Sequence, residues 1–191
     1  MRLHRSISTD HPLLVVALDE EAAGLHDFGL PVLITGVGKV NAAVAVSTVL
    51  GDHSPSRIIN LGTAGSLREG LSGVHVISQV RQHDLDDDAI HTLTGLHFSQ
   101  PIELADAGAV LTTGDVFVND RATRAQLAEH ADLVDMEGYA VAKAAAASEI
   151  PMTLVKVVSD PAGEESLRTW RETIDDCAAQ LGTWLQENLE R

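Results

Sequence analysis

Strand-length apolar runs recur along the chain at 13–18, 31–35, 57–61, 74–80, 109–113, 133–136 and 152–158, rich in Val, Ile and Leu and mostly unalternating. A strand with one wet face alternates apolar and polar residues, so unbroken runs predict strands buried on both faces, the arrangement of a sheet covered by helices on either side. The stretches 39–50 and 138–149 between such runs are dense in Ala and Val, small side chains that let a helix lie close against a sheet. Strands alternating with helices predict an α/β chain: a three-layer α/β/α domain around a mostly parallel, mixed central sheet. From Glu164 onward Leu167, Trp170, Ile174, Cys177, Leu181, Trp184 and Leu185 recur mostly at three- and four-residue steps, which predicts an amphipathic helix that packs with this stripe. Residues 81–106 lack periodicity and read as a mobile loop. With 191 residues, 45% hydrophobic, and no repeat or Pro/Gly-rich linker, the span 1–191 is expected to form one domain.

Charge narrows the partners. Asp and Glu number 28 against 13 Lys and Arg, and the net charge of −15 repels a phosphate backbone, so nucleic acid is not an expected partner. The basic start Met1–Ser6 is followed by an apolar run of only 13–18, shorter than a signal-peptide core and far short of the roughly 20 residues of a membrane helix. A soluble, cytoplasmic chain without a membrane partner is expected. The single cysteine, Cys177, excludes an intramolecular disulfide and a Cys-rich metal site and suits a reducing compartment.

Carboxylates follow three of the runs: Glu21 after 13–18, Glu137 after 133–136 and Asp160 after 152–158. An open α/β sheet binds its ligands at the carboxyl ends of its strands, so this spacing predicts a carboxylate-lined small-molecule site. A Gly-rich turn, Gly62-Thr63-Ala64-Gly65, would bring bare backbone to the same edge. Helix capping is the plainer role for each acid, with Asp19 capping 20–27 and Glu137 and Asp160 serving similarly, but the three together beside Gly62–Gly65 favour a site.

Other motifs carry less. Gly36-Val37-Gly38-Lys39-Val40-Asn41 has Asn at the sixth place of a dinucleotide fingerprint. As a phosphate loop it has Leu33 where the first glycine belongs and Val40 where Ser or Thr belongs. It is left as a tight turn at a helix start. His83, Asp84 and Asp86–Asp88 read as a solvated charge run rather than a metal site, and no G-x-S-x-G elbow follows a strand. No metal and no cofactor are expected.

Taken in order, Ala17-Leu18-Asp19-Glu20-Glu21, Gly36–Ala43, Asn60–Gly65, Thr113–Val118, Val134–Glu137 and Val158-Ser159-Asp160 resemble the nucleoside phosphorylase/nucleosidase superfamily, and within it most of all the 5′-methylthioadenosine/S-adenosylhomocysteine nucleosidases. The resemblance spans most of the chain and implies the superfamily's fold and an N-glycosyl hydrolase acting on a purine nucleoside. Cleaving that bond builds oxocarbenium character on the ribose and negative charge on the departing base, so the site needs an acid for the base and an activated nucleophile for C1′. By resemblance Asp160, with Ser159 before it, serves the base, and Glu21 activates the water. Glu137 grips the ribose hydroxyls, Met136 lies on the sugar face and Phe117 with Val118 walls the base. Thr63 and Gly65, in the glycine segment, approach the sugar and the water.

Phosphorolysis needs cationic donors beside C1′. The phosphorylases that the chain resembles carry an Arg two residues before the first glycine of Gly62–Gly65. Asn60 stands there, Arg57 lies at the wrong end of the strand, and only Arg68 is near enough to be recruited. Water is the expected nucleophile. Purine nucleoside phosphorolysis, futalosine hydrolysis and a non-catalytic nucleoside-binding relative are the alternatives, and an interaction module is a further one. The chain is a reduced member, because only a short stretch separates Glu21 from Gly36. The segment from Arg81 to His97 keeps Arg81-x-His83-Asp84 and then diverges. In relatives that region reaches a neighbouring subunit, which implies a homodimer or higher homo-oligomer.

Overall fold

The computed structural model describes residues 1–164 and 166–189, and of Leu167 the backbone alone, so that side chain's predicted place in the C-terminal stripe lies outside the described residues. In chain order the elements are β1 (Arg2–His4), β2 (Leu13–Val16), α1 (Asp19–Ala22), a 3₁₀ turn at His26–Phe28, β3 (Val32–Ile34), α2 (Lys39–Asp52), β4 (Ile58–Ser66) and β5 (Val74–Gln82). Then follow α3 (Asp87–Thr94), β6 (Ile102–Glu103), β7 (Ala109–Thr113), α4 (Arg121–Leu127), β8 (Leu133–Asp135), α5 (Gly138–Ala147), β9 (Met152–Asp160) and α6 (Ser166–Asn188).

The strands form one mixed sheet in the order β1-β3-β2-β4-β8-β7-β5-β6, with β9 paired to both β4 and β5. Because β9 closes the gap, β4, β8, β7, β5 and β9 make a ring, and β2, β3 and β1 extend from it as an open flank. The pairings β2–β3, β2–β4, β4–β9, β5–β7 and β7–β8 are parallel, and β1–β3, β4–β8, β5–β6 and β5–β9 are antiparallel.

Period-2 geometry explains the unalternating runs of β2, β3 and β4, whereas β5, expected to be buried on both faces, is largely half-exposed. On β2, Leu14 and Val16 enter a core with Ala22 and Leu25 and with Cys177, Leu181 and Leu185 of α6, while Leu13 and Val15 enter a second core with Ala42, Val46, Ala140, Val141 and Ala144 of α2 and α5. Successive side chains leave opposite faces of a strand, so a run covered on both sides is apolar at every position. The outcome is three layers, with α1 and α6 on one face and α2 and α5 on the other.

The structure departs from expectation in several places. Gly62–Gly65 is not a turn: β4 runs through it to Ser66, paired with β9 over Gly62↔Lys156, Thr63↔Val157 and Ala64↔Val158. The stretch 81–106 is not a loop throughout, for it holds the end of β5, α3 and β6. Side-chain hydrogen bonds rather than apolar periodicity order it, which is why the pattern was silent. Asp86 accepts from the Ala89 N–H at 3.0 Å to start α3, and Asp87 accepts from the N–H groups of Phe98 (2.7 Å) and Ser99 (3.1 Å) beyond its end. No residue of α3 is buried. The short edge strands β1 and β6 were not foreseen. The C-terminal helix starts at Ser166 rather than Glu164.

Candidate active site

At the carboxyl ends of β2, β4, β8 and β9 a cavity of about 230 Å³ opens, and Glu21, Thr63, Gly65, Phe117, Val118, Met136, Glu137, Ser159 and Asp160 all line it. The acids predicted from strand ends are buried there, with Glu21 3%, Glu137 8% and Asp160 6% exposed, amid walls that are chiefly apolar.

Capping accounts for only part of this: Glu21 takes the N-cap N–H of its own helix at Leu18, while Glu137, which precedes α5, makes no side-chain cap bond to it. The helix after β2 starts at Asp19 with Leu18 ahead of it, and the Asp19 carboxylate pairs with Arg2 on the surface. Glu21 instead turns its carboxylate to four hydrogen-bond donors: Oε2 takes the N–H groups of Ala17 (3.0 Å) and Leu18 (3.2 Å), and Oε1 takes the N–H (2.8 Å) and hydroxyl (3.0 Å) of Thr63. Glu137 precedes α5 but sends Oε1 across the site to the Gly38 N–H at 2.8 Å, so the glycine turn before α2 braces this acid. Asp160 accepts from the Ser159 hydroxyl at 2.9 Å and from the Ala162 N–H at 2.9 Å.

Register brings Ser159 and Asp160 to the same place. Between Ala64↔Val158 and Gly65↔Asp160 the β4–β9 ladder skips a residue and leaves Ser159 unpaired. In a regular strand neighbouring side chains point to opposite faces, and a bulge re-aims them; here both line the cavity. Glycines on β4 leave the room. A Cβ on Gly65 would lie 3.0 Å from Ala162 Cβ and 3.2 Å from Asp160 Oδ1, and one on Gly62 would lie 3.0 Å from Lys156 Nζ and 3.2 Å from Glu21 Oε1.

Lys156 was missed in the sequence, although a lysine inside an apolar run signals a paired buried charge. It is 2% exposed and donates to Asp135 Oδ2 at 2.8 Å. Burial works against its charge, but Asp135, Glu137 and Glu21 outweigh that and hold the ammonium above its usual range. Asp135 in turn accepts from the Thr113 hydroxyl (2.6 Å) and the Gly138 N–H (2.8 Å), pinning β7, β8 and α5 together. Burial, reinforced by Asp135 and resisted by Lys156 and the Gly38 N–H, pushes the Glu137 carboxyl up to about 8. At the rim, Lys39 pairs with Asp84 and its N–H donates to Asp115 at 2.8 Å, while the Asp115 N–H donates to Asp84 at 2.8 Å, tying the start of α2 to the ends of β5 and β7.

Trp170, expected in the packing stripe of α6, lines the cavity instead and donates its indole N–H to Thr63 Oγ1 at 3.1 Å. Arg68 lies outside the cavity and bonds Asp132 at 3.0 Å, and Asn60 donates to the Val15 carbonyl at 2.9 Å. No arginine lines the cavity among the described residues. Asp84, Asp86 and Asp87 have protein partners, and no group of three or more His, Cys, Asp or Glu stands ready to hold a metal among the described residues.

A family model described as the phosphorylase superfamily matches residues 28–189. A 5′-methylthioadenosine/S-adenosylhomocysteine nucleosidase of Bacillus cereus is 28% identical over 183 residues, covering 83% of this chain and 79% of that protein. Among solved structures, the corresponding nucleosidase of Helicobacter pylori superposes with a TM-score of 0.83 at 21% identity, over 94% of this chain and 97% of that one. The futalosine hydrolase of the same organism superposes with a TM-score of 0.84 at 21% identity, over 93% and 96%.

Proposed function

Because the chain belongs to the phosphorylase superfamily, we propose that it hydrolyses the N-glycosidic bond of an adenosine-type nucleoside, such as 5′-methylthioadenosine or S-adenosylhomocysteine, and releases the base. The observation that carries this reading is the convergence of Glu21, Glu137 and Asp160 on one largely apolar cavity that no arginine lines among the described residues. Dry walls strengthen every charge interaction inside, and carboxylates without a guanidinium suit water better than phosphate as the nucleophile.

In this mechanism the C1′–N9 bond breaks as the purine takes a proton at N7 from Asp160, whose carboxyl is oriented by Ser159 and the Ala162 N–H. Glu21 accepts a proton from the water that attacks C1′, held in place by its four donors. Glu137, braced by Gly38, binds the ribose hydroxyls. Met136 covers the sugar face, and Phe117 and Val118 flank the base. Thr63 and Gly65 supply the close backbone edge. Arg68, engaged by Asp132, is absent from the reaction.

The enzyme works as a homodimer in the cytoplasm on this reading. Val40 and Val44 lie one turn apart on α2, 71% and 60% exposed, and Val116 on the cavity rim is 63% exposed, an apolar face suited to a second copy. Its one thiol, Cys177, is buried and free, in keeping with a reducing compartment.

The test is base release from methylthioadenosine, S-adenosylhomocysteine, adenosine, inosine and futalosine, each with and without phosphate, followed by chromatography of the products. Adenine released equally without phosphate is expected, and Asp160→Asn should lower kcat/KM by about 10²–10⁴-fold, the usual contribution of a general acid. Hypoxanthine from futalosine alone would move the substrate to the neighbouring hydrolase class. Release that requires phosphate, or none at all, would overturn hydrolysis.

A further inference from the structure

We propose that Trp170 is a positioning residue for Glu21 and acts through the hydroxyl of Thr63; the inference rests on the nucleoside hydrolase reading above. An indole N–H can only donate, so in the 3.1 Å contact with Thr63 Oγ1 the hydroxyl oxygen accepts. With its lone pair engaged by Trp170, the hydroxyl turns its own hydrogen to Glu21 Oε1, 3.0 Å away. The direction of the chain, from indole to hydroxyl to carboxylate, follows without choice, and each bond polarises the next.

The other three donors to Glu21 are main-chain N–H groups fixed by β4 and by the backbone that leaves β2. The hydroxyl is a free rotor, and among the described residues Trp170 is the donor that sets it. Thr173, nearly one turn further along α6, places its hydroxyl 2.9 Å from the Ser159 carbonyl and 2.9 Å from the Thr169 carbonyl of its own helix. One helix thus lies against both ends of the cavity, the acid end at Ser159–Asp160 and the water end at Glu21. A purely packing tryptophan would sit in the α6 core with Cys177, Leu181 and Leu185, and Trp170 is not among them.

Trp170→Phe keeps an aromatic ring on the cavity wall and removes the donor. In the wild-type background it should lower kcat by about five- to tenfold, the scale of one neutral hydrogen bond, and move KM less than about twofold. In a Thr63→Ala background, which keeps the backbone N–H on Glu21, the same change should move kcat less than about twofold. Thr63→Ser, which restores the hydroxyl, should restore the sensitivity. Equal losses in both backgrounds, or a change confined to KM, would overturn the inference while leaving hydrolysis intact. Absence of base release by the wild-type protein would instead overturn the hydrolase reading and this role with it. Emission from Trp184 checks that the Trp170→Phe protein is folded. Independently of activity, with Trp184→Phe leaving Trp170 as the sole indole, Thr63→Ala should shift its emission, and an unmoved spectrum would overturn the contact.

Discussion

Glu137 shows how one buried carboxylate ties the site to the stability of the whole chain. Burial and then Asp135 raise its carboxyl to about 8, against about 4.5 when exposed. Between these values the unfolded chain has lost a proton that the folded one keeps, so stability falls as pH rises through the window and levels above it. Glutamine at this position has no proton to lose and can still accept from the Gly38 N–H. Glu137→Gln is therefore expected to melt higher than the wild type at pH 8 and no higher at pH 4.5, with about 2–4 °C for each kcal/mol in a chain of this size. Thermal melts from pH 4.5 to 9 decide it, since parallel curves for the two proteins would remove the account. Glu137 itself was legible from its place after an apolar run. Its bond to Gly38 was not, because the glycine turn carried no mark of which distant acid it would meet.

Strand β4 decides whether Glu21 and Asp160 have room. Its glycine segment was legible as a place where backbone comes close to other groups, but it was read as a turn, since glycine weakens strands and marks turns when judged locally. Pairing along β9 over seven consecutive residues overrides that preference. The close approach makes a sharp prediction. A Cβ on Gly65 meets Ala162 Cβ at 3.0 Å, Asp160 Oδ1 at 3.2 Å and Val134 Cγ1 at 3.3 Å, none of them a flexible chain end, so Asp160 must shift. Gly65→Ala should cost about 1–3 kcal/mol of stability, as overpacking does, and at least about tenfold in kcat/KM. Gly51, inside α2 with nothing within 4 Å of its Cβ position, is the control, and Gly51→Ala should be neutral or stabilising by up to about 1 kcal/mol. Melting and turnover of the pair are the measurement; indistinguishable variants would mean that β4 tolerates a side chain there.

For the molecule as a whole, the assembly is the open consequence of its surface. The exposed valines of α2 stand next to the cavity rim, where Val37 and Val116 both line the pocket. Their burial between two copies would explain an apolar face on a chain of net charge −15. Sedimentation velocity should give a dimer for the wild type and a monomer for Val40→Glu with Val44→Glu, since opposing carboxylates on a desolvated face repel. A wild-type monomer would remove the interface.

The sequence by itself determined where the central strands run, that the C-terminal helix packs by an apolar stripe, and that acids follow the strands whose ends meet. Those are properties of a single segment, since burial acts on side chains at the period of the local backbone. Tertiary structure decided the rest: the bulge that turns Ser159 and Asp160 to one side, the ring closed by β9, the pairing of Lys156 with Asp135, and the capture of Trp170 by Thr63. The contacts that build the site join Glu21 to Thr63 across 42 positions, Gly38 to Glu137 across 99 and Trp170 to Thr63 across 107. Strand register and helix docking set such separations, and no local periodicity encodes them.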